Sequence, residues 1–264
     1  MSSGEPRALP YLSVGEGPTL LLLHGFAMQP RTYLPMAHLL AERVRVVIPA
    51  LFSRREPWDF DRTVESLVRN IDELGLARVS LLGHSFGGGL ELGLVDRCPE
   101  RIVECVFSDT LGVRDRFALA GEALHDPFGI LRLATRPAVT AFFESFAIHP
   151  IRLAGAAWWG FSSNRGPEIE QCVHEDIPCH VLWAEMDTLL SRDDGREFAR
   201  RLHATFTIAQ RPPGYGPIDH DWMFDDPELF VRYLDQLGLR VLGCSGVEHQ
   251  RPSIVSGREG RRAR

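Results

Sequence analysis

Two textures alternate along this chain. Short apolar runs, "TLLLLHG" (19–25), "VRVVIPA" (44–50), "VSLLGH" (79–84), "RIVECVFSD" (101–109), "CHVLWAEMD" (179–187) and "ATFTIAQ" (204–210), are rich in Val, Ile and Leu. They lack sustained alternation with polar residues, which predicts strands covered on both faces. Between them, apolar positions recur at helical spacing. Val64, Leu67, Val68, Ile71 and Leu74 form one face of an amphipathic helix. Asp226 followed by Pro227 reads as a helix cap and first turn, with Leu229, Phe230, Tyr233, Leu234 and Leu237 as the buried face. Ser191 and Asp194 open another helix through Phe198 and Leu202. Strand and helix taking turns in this way predict βαβ units and a mostly parallel sheet, an α/β fold.

The rhythm breaks at about residues 112–176, a stretch rich in Ala, Leu, Phe and Trp with no convincing strand. It reads as a helical cap inserted over the end of the sheet. The last segment, 239–264, is polar, dotted with glycine and heavy in arginine. It is expected to be a disordered tail behind a single domain spanning 1–238.

Composition narrows the chemistry. A formal charge of −6 argues against a nucleic-acid surface or an anionic-membrane surface, so the expected partner is a small-molecule substrate. All 29 basic residues are arginine, which removes Schiff-base lysines, Ser-Lys dyads and a Walker A lysine. Five cysteines, an odd and sparse set, suit an intracellular protein, and the N-terminal residues show no apolar signal segment. The expected location is cytoplasmic. "Cys172-Val-His-Glu-Asp-Ile-Pro-Cys179-His180" fits no zinc spacing, and neither a metal nor a cofactor is expected.

The candidate chemistry centres on "Gly83-His84-Ser85-Phe86-Gly87", a G-x-S-x-G pattern between a predicted strand and a predicted helix. Side chains at Gly83 and Gly87 would collide with neighbouring backbone in so tight a turn, and the turn lifts the Ser85 hydroxyl into the open. A serine hydroxyl is a poor nucleophile until a base takes its proton and a carboxylate orients that base. His220, in a loop before the last helix, is the candidate base. Asp187, just past a strand end, is the candidate acid, with Glu185 as fallback. Asp109 is another carboxylate within reach, read as a strand-end cap. The N–H groups of Phe26 and Phe86 are the expected oxyanion donors. His24 reads as a loop-shaping residue. Trp158, Trp159 and Phe161, with Phe142, Phe143 and Phe146, are candidates either for an apolar acyl pocket or for the cap's own small core.

With elbow, acid, histidine and "HGF" in this order, residues 10–238 resemble the α/β-hydrolase superfamily, most closely its capped branch of serine esterases and C–C bond hydrolases. The resemblance implies an eight-stranded, mostly parallel sheet with helices on both faces and a cap after the sixth strand. It also implies Ser85 as nucleophile, His220 as base and Asp187 as acid, and oxyanion donors at Phe26 and Phe86. Haloalkane dehalogenases and epoxide hydrolases of this fold carry aspartate at the elbow, so Ser85 points away from them. Three positions depart from the pattern. Ala184 replaces a common glycine. Asp219 precedes the histidine, so acidic residues flank His220 and are expected to raise its pKa and the pH optimum. "PALFSRREPW" stands where relatives often show Pro-Asp and glycines. The expected reaction is hydrolysis of small to medium apolar carboxylic esters through an acyl-enzyme. C–C bond, thioester or lactone hydrolysis, perhydrolysis, and a non-catalytic ligand-binding role remain open alternatives.

Overall fold

The computed structural model describes residues 5–111, 136–162, 164–243 and 254–256. Its centre is an eight-stranded sheet of β1 (Tyr11–Val14), β2 (Thr19–Leu23), β3 (Arg45–Pro49), β4 (Val79–His84), β5 (Ile102–Ser108), β6 (Cys179–Ala184), β7 (Thr205–Ala209) and β8 (Ile254–Ser256). Their order across the sheet is β7-β6-β5-β4-β2-β3-β1-β8. The pairs from β3 through β2, β4, β5 and β6 to β7 are parallel, while β1 runs antiparallel to both β3 and β8. All six strands expected from the apolar runs are present.

Helices connect the parallel strands. α1 (Leu34–Leu40) leads to β3, α2 (Phe60–Glu73) to β4, and α3 (Phe86–Arg97) to β5. α4 (Arg136–Ile148), α5 (Pro150–Ser162) and α6 (Gly166–His174) belong to the insertion, and α7 (Arg192–Arg201) joins β6 to β7. α8 (Trp222–Asp225), α9 (Pro227–Gln236) and α10 (Arg240–Gly243) follow the last parallel strand. The expected caps are formed, with Ser191 accepting from Asp194 N at 3.2 Å and Asp226 from Leu229 N at 3.1 Å, and Asp59 adds a further cap by accepting from Arg62 N at 2.9 Å. Two apolar layers flank the sheet. One carries Leu67, Ile71, Leu90 and Phe198, and the other Leu40, Phe230 and Leu234.

Two details differ from the sequence-based expectation. Counted along the chain, the insertion follows the fifth strand rather than the sixth, because β1 alone precedes β2. The segment after residue 238 is also not wholly irregular. Glu104 on β5 accepts hydrogen bonds from Arg240 N at 2.8 Å and Val241 N at 2.9 Å, and Val241 and Leu242 are buried. Ile254–Ser256 then pairs with Val14, Ser13 and Leu12 at the sheet's edge. Polar composition hid both features, since an open strand edge accepts a few β-branched residues from any distance along the chain.

Candidate active site

Parallel strands deliver their following loops to one edge, and the site is assembled there. β4 ends in His84, and Ser85 follows with φ 52° and ψ −117°, a conformation that costs a non-glycine residue of the order of 1–3 kcal/mol. Neighbouring backbone holds it in place. Ser85 N donates to Ser108 O at 2.9 Å, while Ser85 O accepts from Gly88 N at 3.1 Å and from the Thr110 hydroxyl at 3.0 Å. The flanking glycines are required by space. A Cβ at Gly87 would lie 2.0 Å from Leu23 O, and one at Gly83 would lie 2.6 Å from Gly88 Cα.

The loop after β6 turns back so that the Asp187 carboxylate meets His220, with Oδ2 2.8 Å from Nδ1. Both side chains are almost fully buried, at 0 % and 4 % exposure. The other Asp187 oxygen accepts the N–H groups of Leu189 and Leu190, each at 2.8 Å, which fixes the carboxylate's orientation. Asp187, and not Glu185, is therefore the acid that the fold brings to His220. Burial pulls the imidazole pKa down. The charge and hydrogen bond of Asp187, backed by Asp221 and Asp109, outweigh it and carry the pKa up to about 10. The expected rise is present, but its main source is Asp187. Of the two flanking acids only Asp221 adds to it, and burial raises Asp221 itself to about 6.

Asp219, the departure from the family pattern, is a brace. Its carboxylate accepts Thr188 N at 2.9 Å and the Thr188 hydroxyl at 3.0 Å from the acid loop. It also accepts His220 N at 2.7 Å from the histidine loop. A glycine there would leave the two loops unlinked at this point.

Tyr33 and His84 are two members of the site that sequence reasoning passed over. Gly25 N donates to the Tyr33 hydroxyl at 2.8 Å, and that hydroxyl lies 2.8 Å from His84 Nδ1. His84 Nε2 faces His220 O at 3.3 Å. One tautomer satisfies the whole chain: Tyr33 donates to Nδ1, and Nε2–H donates to the carbonyl. Burial holds the His84 pKa well below its ordinary value, which keeps the ring neutral. The His84 and His220 rings lie 5.1 Å apart, so the candidate base rests against the residue that precedes Ser85. His24 is structural, as expected. Its Nδ1 donates to Gly25 O at 3.0 Å and its Nε2 accepts Leu51 N at 3.1 Å, and burial lowers its pKa to about 4.

Phe26 and Phe86, the expected oxyanion donors, are neighbours, with ring centroids 5.9 Å apart. Around them stands an aromatic wall larger than the sequence suggested. Trp58 lies 5.1 Å from Phe86, Phe52 5.5 Å and Trp159 4.9 Å. Phe142 reaches Phe26 at 6.4 Å. Phe52 and Trp58 come from the atypical "PALFSRREPW" loop, which buried Arg152 of α5 fastens to the cap. Arg152 donates to Leu51 O at 3.1 Å and lies 5.0 Å over the Trp58 ring. Three expected pocket residues need correction. Phe143 is 68 % exposed, Trp158 65 % and Phe146 47 %, so none of the three is enclosed as a pocket wall would be. One residue along a helix turns the side chain by about 100°, so Trp159 faces the elbow and Trp158 cannot. The Phe161 side chain lies outside the described residues.

A family model for the alpha/beta hydrolase family matches residues 20–233, and the chain belongs to that family. At that level it is a hydrolase. It is 28 % identical over 249 residues to a protein of Mycobacterium phage D29 provisionally named a non-heme haloperoxidase, covering 82 % of this chain and 86 % of the other. It is 33 % identical over 108 residues to a 2-hydroxymuconate semialdehyde hydrolase of Pseudomonas putida, covering 38 % of each chain. Among solved structures, the enol-lactonase of Burkholderia xenovorans LB400 shares the fold, with a TM-score of 0.67 at 17 % identity, covering 87 % of this chain and 96 % of that one. Among the described residues no helix is long and apolar enough to cross a membrane.

Proposed function

We propose that this protein is a serine hydrolase acting on small to medium apolar carboxylic esters through an acyl-enzyme. The observation that carries this reading is the buried 2.8 Å pair of His220 Nδ1 and Asp187 Oδ2, whose imidazole lies 5.1 Å from the ring of His84, the residue before the strained Ser85. Asp187 holds the imidazole in the tautomer whose Nε2 is free to accept a proton. Nε2 takes the Ser85 proton as Oγ attacks the ester carbonyl, and the N–H groups of Phe26 and Phe86 receive the oxyanion. Collapse of the tetrahedral intermediate expels the alcohol, which takes its proton from His220. Water then attacks the acyl-enzyme through the same base, releasing the acid and restoring Ser85. The wall of Phe52, Trp58, Phe86, Phe142 and Trp159 supports an apolar acyl or alcohol group.

The test is initial rates on p-nitrophenyl esters of increasing acyl length, beside labelling with a fluorophosphonate. Ser85→Ala and His220→Ala are expected to abolish turnover with the fold intact, and Ser85→Ala to abolish labelling. Asp187→Asn is expected to lower kcat by about 10⁴-fold, and Glu185→Gln to leave it near wild type. Activity surviving in Ser85→Ala rejects the mechanism. Absence of Ser85-dependent labelling in the wild type favours a binding protein.

The relationship to the phage protein favours perhydrolysis as a second reading, in which hydrogen peroxide replaces water and releases a peroxy acid. Peroxide-dependent bromination that disappears in Ser85→Ala would select it.

A further inference from the structure

Asp109 stands at the end of β5, fully buried and with φ 47°. Its N–H donates to Leu182 O at 3.0 Å. Its Oδ1 accepts Ala184 N at 2.7 Å, where the acid loop leaves β6. Its Oδ2 accepts the Trp222 indole N–H at 3.0 Å, two residues beyond the candidate base, and the Ser108 hydroxyl at 2.8 Å. The facing atoms of Asp109, Asp187 and His220 all lie within 4.8 Å of one another. A strand-end cap would need only local partners. This side chain reaches two other loops, the two that carry acid and base.

We propose that Asp109 is a positioning residue of the active site, clamping the Asp187 loop to the His220 loop and setting a second carboxylate beside the imidazole. The proposal rests on the reading of Ser85, His220 and Asp187 as the triad.

Two influences oppose each other at Asp109. Burial, first, and the charge of Asp187 hold its carboxyl well above the ordinary carboxylate range, and His220 and the donors from Ala184 and Trp222 offset them only in part. Three donors occupy three of the four lone-pair positions of its oxygens, which fixes the carboxyl group between the two loops. The other groups around His220 are Asp187 from the acid loop, Asp219 and Asp221 from its own loop, and His84 from the end of β4. Asp219 is committed to Thr188 and the His220 N–H, and His84 is neutral. Asp187, Asp109 and Asp221 are left to favour the imidazolium that forms when Ser85 gives up its proton.

The experiment is an NMR titration of the His220 ring in the full chain, wild type beside Asp109→Asn. Near-ultraviolet circular dichroism confirms that each protein is folded. The His220 midpoint is expected to fall by about one unit or more in Asp109→Asn, the lower end of what a close opposite charge produces. The pH profile of kcat/KM should move with it, while KM holds. A folded Asp109→Asn protein whose His220 titrates as in wild type overturns the proposal. If that variant does not fold, Asp187→Asn/Asp221→Asn decides, because of the groups that raise the His220 pKa Asp109 then remains. A midpoint above the ordinary 6.5 supports the proposal, and one at or below it rejects it. The titration needs no turnover and fluorophosphonate labelling reads Ser85 alone, so failure of the triad and failure of this proposal are separable.

Discussion

Trp158 and Trp159 are neighbours in sequence with opposite fates. Trp159 stacks on Phe60 at 4.9 Å and meets the edge of Phe86, whereas Trp158 is largely exposed. Composition treats them alike, and only their angle around α5 separates them. Trp159→Ala is expected to raise KM for apolar esters by about tenfold, equivalent to ~1.4 kcal/mol, and Trp158→Ala to leave it within twofold or so of wild type. Steady-state kinetics on a medium-chain ester checks both. Equal effects of the two changes would mean that the aromatic wall is not the substrate surface.

At the scale of elements, the strand, elbow and helix of 79–97 act as one rigid device. Gly87 packs against the carbonyl that ends β2, and Ser85 is held by hydrogen bonds from the end of β5. Gly87→Ala forces backbone apart rather than a flexible side chain, so a loss of at least about 1–3 kcal/mol is expected. Urea denaturation reads it directly, and an unchanged midpoint would show that the turn can relax. The elbow was legible in the sequence because its constraint is local: glycine, serine and glycine at fixed spacing between a strand and a helix. Tyr33 was not legible. It touches His84 from 51 residues away and carries no motif around it. Asp219 was seen as an anomaly, but its purpose depends on Thr188, 31 residues distant, being folded beside it.

The whole molecule sets the pH response. A base whose pKa is raised to about 10 must lose its proton before it can accept one from Ser85, so kcat/KM is expected to climb from neutral into the alkaline range. Stability carries the opposite sign. A histidine pKa raised from 6.5 to about 10 contributes stability that is fully present below 6.5 and is lost as pH rises through about 10. Thermal midpoints of wild type and His220→Ala should therefore converge as the solution becomes alkaline. A gap that stays constant across this window would show that the Asp187–His220 pair does not hold a proton in the folded state. The activity profile and the melting profile come from one pair of side chains, and both depend on Asp187 outweighing the burial of His220.

Local pattern alone determined the six parallel strands, the caps at Ser191 and Asp226, the elbow at Ser85 and the chain order of the candidate residues Ser85, Asp187 and His220. Each of these rests on the spacing of residues close in sequence, where strand and helix periods and turn sterics act directly. Tertiary structure decided what depends on distance through space: which carboxylate reaches His220, that Asp109 stands beside the pair, which tryptophan faces the elbow, and that Ile254–Ser256 returns to the sheet's edge. These choices follow from loops converging at the ends of parallel strands, where residues tens of positions apart come within hydrogen-bonding reach and burial strengthens every charge that is brought together.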